Sequence, residues 1–188
     1  MREGFQSSDD RSLARDVFLR SPLADCNIIM VPSSWRCVSD TILNFEFVST
    51  PVETLTLWDE SILAIDAFDR LFVWSGRAVL HERFDPLRKA CLSYLIDRSM
   101  SRFPAPQLHG LVEGDSMCRE LTSRLAPSHG DPDDVQTKNF PYLDELNSES
   151  LAILRGKFRL YNKEKDPSLY HWYSQISKTP GKGKSLCC

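Results

Sequence analysis

A sheet covered by helices, of the α/β or α+β type, is the fold class that this sequence predicts. Three observations carry the prediction. Ile62-Leu63-Ala64-Ile65 and Leu71-Phe72-Val73-Trp74 are short, nearly all-apolar runs, the kind that form strands buried on both faces. Asp66-Ala67-Phe68-Asp69-Arg70 between them is polar enough to turn. Asp85-Pro86 then opens a run in which Leu87, Cys91, Tyr94, Leu95 and Arg98 recur at helical spacing, and an extended Phe103-Pro104-Ala105-Pro106 link leads on to further helical stretches.

From the N-terminus, residues 1–11 are polar and are expected to fray. Leu13, Val17 and Phe18 place a helix from Ser12 to Arg20, which Pro22 stops. Asn27 to Val31 is a short apolar run ended by Pro32. Ile42 to Val48 alternates through Leu43, Phe45 and Phe47 and predicts a strand. Thr54 to Trp58 predicts another, with Leu55 and Leu57 on one face. Nothing in this first quarter reads as a self-contained core. Ser75-Gly76-Arg77 breaks the second buried strand. Asp85 is expected to cap the next helix, with Pro86 at its first position.

Gly110 to Asp115 reads as a loop, and Ser116 to Leu125 as a helix with Cys118, Leu121 and Leu125 inward, closed by Pro127. Ala126 to Asn139 reads as a polar loop. Leu143, Leu146, Leu151, Leu154 and Phe158 predict a helix or a helix pair that Asn147-Ser148 would divide. Asp166-Pro167 repeats the helix start. Leu169, Trp172, Tyr173 and Ile176 follow at i, i+3, i+4 and i+7, the strongest amphipathic stripe in the chain. Thr179 to Cys188 reads as a flexible tail.

At 188 residues the chain has room for one domain and an appendage, since domains average about 150 residues. Its 23 basic and 26 acidic side chains leave a formal charge of −3, which excludes a polycationic nucleic-acid binder. With 41% apolar and 26% charged residues it is neither disordered, collagen-like nor a coiled coil. Its longest apolar runs are far short of the roughly 20 residues of a membrane span. No signal-peptide pattern can be drawn at the N-terminus, so the six cysteines (Cys26, Cys37, Cys91, Cys118, Cys187, Cys188) are expected to be reduced cytosolic thiols. None forms a C-x-x-C pair, and Cys91 and Cys118 fall on apolar helix faces as small hydrophobes.

Candidate chemistry is sparse. Asp66 and Asp69 could be a carboxylate pair or part of a calcium site, but calcium takes six to eight oxygens and only Glu60 lies near in sequence; the turn role is favoured. His81, His109, His129 and His171 are scattered, and no G-x-S-x-G, P-loop or dinucleotide fingerprint occurs. No cofactor and no metal are expected. The Leu169/Trp172/Tyr173/Ile176 stripe reads as core packing in preference to a partner groove. Lys182, Lys184 and Cys187-Cys188 could form a lipidated basic anchor, but no C-a-a-X box is present and a plain flexible end is favoured.

Ile62 to Gly76 resembles the signature hairpin of gelsolin-like domains: an apolar strand, an Asp-started turn, a second strand ending in an aromatic, then glycine. Further stretches resemble the C-terminal gelsolin-like domain of the COPII inner-coat subunits (the Sec-twenty-three and Sec-twenty-four type). These are Ser101-Arg102-Phe103-Pro104-Ala105-Pro106, then Gly114-Asp115-Ser116 with Arg119 and Leu121, and Ser123-Arg124-Leu125-Ala126-Pro127-Ser128. Asp166-Pro167-Ser168-Leu169 with Trp172 and Ile176 is similar to that domain's last helix, and Ile28-Ile29-Met30-Val31-Pro32 to the run leading into it.

The resemblance implies an α/β gelsolin-like domain, a central mixed sheet with helices on both faces, preceded by a short remnant of a helical region. It divides the chain into a remnant and linker over 1–50, the domain over 51–178 with an insertion at 131–162, and a tail over 179–188. The family's β-sandwich, zinc finger and trunk have no counterpart, so a fragment, short isoform or divergent relative is expected.

The implied function is that of a COPII coat component, or coat-derived module, in endoplasmic-reticulum-to-Golgi transport. It would bind the coat small GTPase and other coat subunits from the cytoplasm, peripheral to membranes at exit sites and vesicles, without nucleic acid. The GTPase-facing loop would comprise Arg102, Phe103, Pro104, Pro106 and Gln107. The family's GTPase-activating subunit carries an arginine after F-P-x-P; here that position is Gln107, so no catalysis is expected of the chain. The rival readings are a fragment that retains GTPase activation, with Arg102 reaching over as a substitute, an actin- or calcium-linked gelsolin-like module, and a truncated product with no independent role. Solvation of a helix end by Arg102, or a contact with helix-terminal carbonyls, is favoured over the substitute role.

Overall fold

The computed structural model describes residues 8–41, 44–128 and 131–157. The chain forms two compact units, one running to Ala126 and the other beginning at Pro127. The predicted last helix with Leu169, Trp172, Tyr173 and Ile176, and the tail with Lys182, Lys184, Cys187 and Cys188, lie outside the described residues.

The first unit opens with α1 (Ser8–Arg20) and α2 (Leu23–Met30), so the apolar run at Asn27 closes a helix that starts just after Pro22. Then come β1 (Ser33–Thr41) and β2 (Asn44–Thr50), an antiparallel pair with Trp35 opposite Ser49 and Cys37 opposite Phe47. The strand predicted from Ile42 to Val48 corresponds to β2, while β1 was not predicted. β1 also pairs antiparallel with β3 (Ile62–Asp66), which makes residues 33–50 part of the sheet and corrects their assignment to a remnant and linker. The reason lies in β1's composition. Serines and Arg36 interrupt it, and only Trp35 and Cys37 face the core, too few to show the strand in sequence. Thr54–Thr56 forms a 3₁₀ turn in place of the expected strand, with Leu55 and Leu57 buried.

β3 and β4 (Arg70–Ser75) form the predicted hairpin, with Leu63 opposite Trp74 and Ile65 opposite Phe72. α3 (Asp85–Ser99) follows a 3₁₀ turn at Glu82–Phe84. Asp85 does not cap it; its carboxylate instead binds Arg88, which also donates to the Val79 carbonyl at 2.5 Å and the His81 carbonyl at 3.2 Å. β5 (Gln107–Val112) then pairs in parallel with β4, where a loop was expected around Gly110. The sheet order is β2-β1-β3-β4-β5, a mixed α/β architecture. α4 (Cys118–Thr122) is shorter than the predicted helix but keeps Leu121 and Leu125 buried.

Strand alternation sorts the core into two layers. Cys37, Ile62, Ala64 and Leu71 pack with Val79 and with Cys91 and Leu95 of α3, backed by Trp35, Phe47, Leu87 and Tyr94. Leu63, Ile65, Phe72, Trp74 and Leu111, pointing the other way, are each 4% exposed or less, so both sheet faces are covered. The Cys91 thiol is held well above its ordinary range by its hydrogen bond with Cys37 and by burial, so it stays protonated as an inert packing group.

Gly76 is required by space. A Cβ there would lie 2.0 Å from the Asp59 carbonyl oxygen, because Gly76 donates to Ser61 and Ala78 to Asp59 across the same crossing. Gly76→Ala is expected to cost about 2–3 kcal/mol in urea unfolding, the upper range for overpacking. An unchanged midpoint would mean that the Asp59 backbone can yield.

In the second unit, α5 (Asp133–Asn139) occupies part of the expected polar loop. A 3₁₀ turn at Pro141–Glu145 and α6 (Ser148–Lys157) follow. Asn147 does divide the leucine-rich stretch: its side-chain oxygen accepts the Ser150 N–H at 2.8 Å, an N-cap for α6.

Candidate interaction site at the hairpin turn

The β3–β4 turn and the link after α3 meet around one buried ion pair. β3 ends in Asp66, which is fully buried. Its Oδ1 accepts the Phe68 N–H at 3.0 Å, an Asx-type turn, and holds Phe68 at φ 69°, a left-handed conformation that is costly for an aromatic residue. Arg102, three residues past the end of α3, forks onto the same carboxylate, Nη1 to Oδ1 at 2.7 Å and Nη2 to Oδ2 at 2.9 Å. Nη1 also donates to the Phe68 carbonyl at 3.1 Å, and the guanidinium lies 5.2 Å from the centre of the Phe68 ring. Burial opposes the Arg102 charge, but the Asp66 hydrogen bonds and the charges of Asp66 and Asp25 outweigh it and hold its pKa above the ordinary value. Among the described residues its Nε has no hydrogen-bond partner; a carboxylate oxygen of Asp25 on α2 lies 3.9 Å from it.

This geometry corrects both roles weighed for Arg102. The side chain is 3% exposed and bound to a carboxylate, so it neither solvates a helix end nor projects as a substitute finger. Asp66, its partner, was visible in sequence only as a turn residue. An aspartate closing an all-apolar strand was the available sign that a buried cation must come from elsewhere.

The other residues of the expected loop point outward. Phe103 is 83% exposed, and its peptide bond to Pro104 is cis. Pro104 is exposed and Pro106 half-buried. Gln107 is exposed too, but it heads β5 and is not in a loop; its N–H donates to the Asp69 carbonyl at 2.9 Å. The Asp69 carboxylate is forked by Arg124 at 2.7 and 3.1 Å, and Arg70 pairs with Glu120. Both carboxylates of the suspected calcium pair are therefore engaged by arginine. Phe103, Pro104 and Gln107 are thus exposed, while the carboxylates of the neighbouring turn are charge-paired.

No family model matches the chain. Over 174 residues, 92% of this chain, it is 26% identical to the Arabidopsis thaliana protein transport protein SEC23 A, of which it spans about a fifth. Among solved structures, the human COPII-coat protein Sec24c matches with a TM-score of 0.50 and 15% identity, over 64% of this chain and 19% of that one. A Thorarchaeota 2DGel3/rabbit actin complex matches with a TM-score of 0.40 and 20% identity, over 50% of this chain and 45% of that one. The SEC23 A similarity supports a partial domain of the COPII SEC23/SEC24 type, and the Sec24c likeness extends to the mixed α/β fold.

Proposed function

We propose that the chain is a COPII-coat-related module in vesicle transport that acts by protein–protein binding, with a gelsolin-like sheet unit as its working part. The partners are the coat small GTPase and other coat subunits, met at the cytoplasmic side of endoplasmic-reticulum exit sites. The observation that carries this reading is the SEC23 A similarity across nearly the whole chain. The display of Phe103 and Gln107 at the surface fits a contact made by the Phe103–Gln107 segment. The test is capture of the GTP-loaded coat small GTPase by the full chain. Phe103→Ala should weaken capture at least about tenfold, the loss typical of a buried aromatic anchor. Equal capture by wild type and Phe103→Ala would remove this segment from the contact.

The chain is not expected to accelerate GTP hydrolysis. An arginine finger contributes about 10³–10⁵ in rate by neutralising charge on the transferring phosphoryl group. The Gln107 amide is neutral and lacks the guanidinium fork. Arg102 is held by Asp66 and cannot stand in. Gln107→Arg is expected to raise single-turnover hydrolysis measurably above the wild-type chain. Strong stimulation by wild type itself would restore the GTPase-activating alternative.

A further inference from the structure

We infer that Arg102 is a positioning residue: its fork onto Asp66 fixes the direction in which the Phe103–Gln107 segment leaves α3 and so sets the outward presentation of Phe103. This rests on the reading that the segment faces a partner. The argument is one of adjacency. Arg102 is 8% exposed and the next residue 83% exposed, so the chain reverses from core to solvent within one peptide unit. A reversal that sharp needs an anchor on its buried side. Arg102 supplies it through three charge-assisted or carbonyl-directed hydrogen bonds to Asp66 and Phe68, and its own N–H donates to the Ser99 carbonyl at 2.9 Å. Five residues on, Gln107 is tied to Asp69 of the same turn. The segment is thus a short span fastened at both ends to the β3–β4 turn, and at its start the fastening is a side chain.

An ion pair of this kind is a costly way to gain stability, since two well-packed neutral groups often serve as well. Its geometry is what a neutral pair lacks: a planar fork fixes direction as well as distance. Asp66→Asn combined with Arg102→Met removes both charges while retaining an acceptor for the Phe68 N–H. This double variant is expected to fold with a melting temperature within a few degrees of wild type. Hydrogen exchange at the Gln107 amide should rise more than tenfold while the amides of Leu63 to Ile65 keep their protection. Capture of the GTP-loaded coat small GTPase should fall with it. Gln107 exchange within twofold of wild type in the folded double variant overturns the inference.

A measurement on the wild-type chain stands beside it and needs no variant. Under low denaturant the Phe68 and Gln107 amides should exchange as one cooperative unit, because both are bound to the β3–β4 turn, at Asp66 and Asp69, that the Asp66–Arg102 pair fastens. Independent openings, with rates more than tenfold apart, overturn the inference as well. If wild type captures no GTPase, the functional reading fails, while the exchange arms still decide the role of Arg102.

Discussion

Replacing Asp66 by alanine is expected to destabilise the sheet unit by about 3–5 kcal/mol, the range for removing one partner of a buried ion pair. The Arg102 side chain would keep its charge at 3% exposure without the carboxylate it forks onto, leaving only, among the described residues, the Asp25 carboxylate at 3.9 Å. The Phe68 N–H, in a left-handed turn, would lose its acceptor as well. Total stabilities of single domains are about 5–15 kcal/mol, so a marginal domain would be largely unfolded at room temperature. Denaturant unfolding followed by circular dichroism measures the change. Asp66→Asn should cost less, because the amide oxygen still accepts from Phe68 and from one arm of the guanidinium. A midpoint for Asp66→Ala equal to wild type would mean that Arg102 escapes to water at little cost.

Trp74→Ala is expected to cost a similar amount, about 3–5 kcal/mol, for a different reason. Trp74 is 1% exposed and sits between Leu63 across the hairpin and Leu111 on the parallel neighbour. Emptying that site removes a large apolar surface from three adjacent strands. The opposite face of the same strand gives the control. Val73 is only half-buried, so Val73→Ala should cost distinctly less. Equal losses at the two positions would contradict the difference in burial between Trp74 and Val73.

The parts of the fold that the sequence disclosed were those whose apolar residues were dense. β3 and β4 read correctly because eight of their residues form two uninterrupted apolar runs, and α3 because its apolar positions recur at helical spacing. β2 was legible from its alternation through Phe45 and Phe47, whereas β1 and β5 flank the hairpin without such a pattern. β1 carries serines, and β5 carries Gln107, His109 and Gly110, so neither declares itself by composition. Thr54–Trp58 alternated like a strand, yet its Thr54 N–H donates to the Ala126 carbonyl and the chain coils into a 3₁₀ turn. The candidate site was legible as a stretch of sequence but not as geometry. Prolines marked the link from Phe103 to Pro106. The Asp66–Arg102 pair, 36 residues apart, leaves no periodic trace.

The parallel pairing of β4 with β5 also dictates an order of events during synthesis. β4 can join β3 as soon as their hairpin emerges, but the chain between Ser75 and Gln107 must be made before β5 exists to flank it. At about 5–20 residues per second that interval lasts seconds, far longer than the microseconds in which hairpins form. Throughout it the Leu71–Trp74 strand offers a bare, apolar outer edge to any neighbouring chain. The nascent protein is thus most prone to aggregate before Gln107 has left the ribosome. A chain ended at Pro106 would carry that hazard permanently.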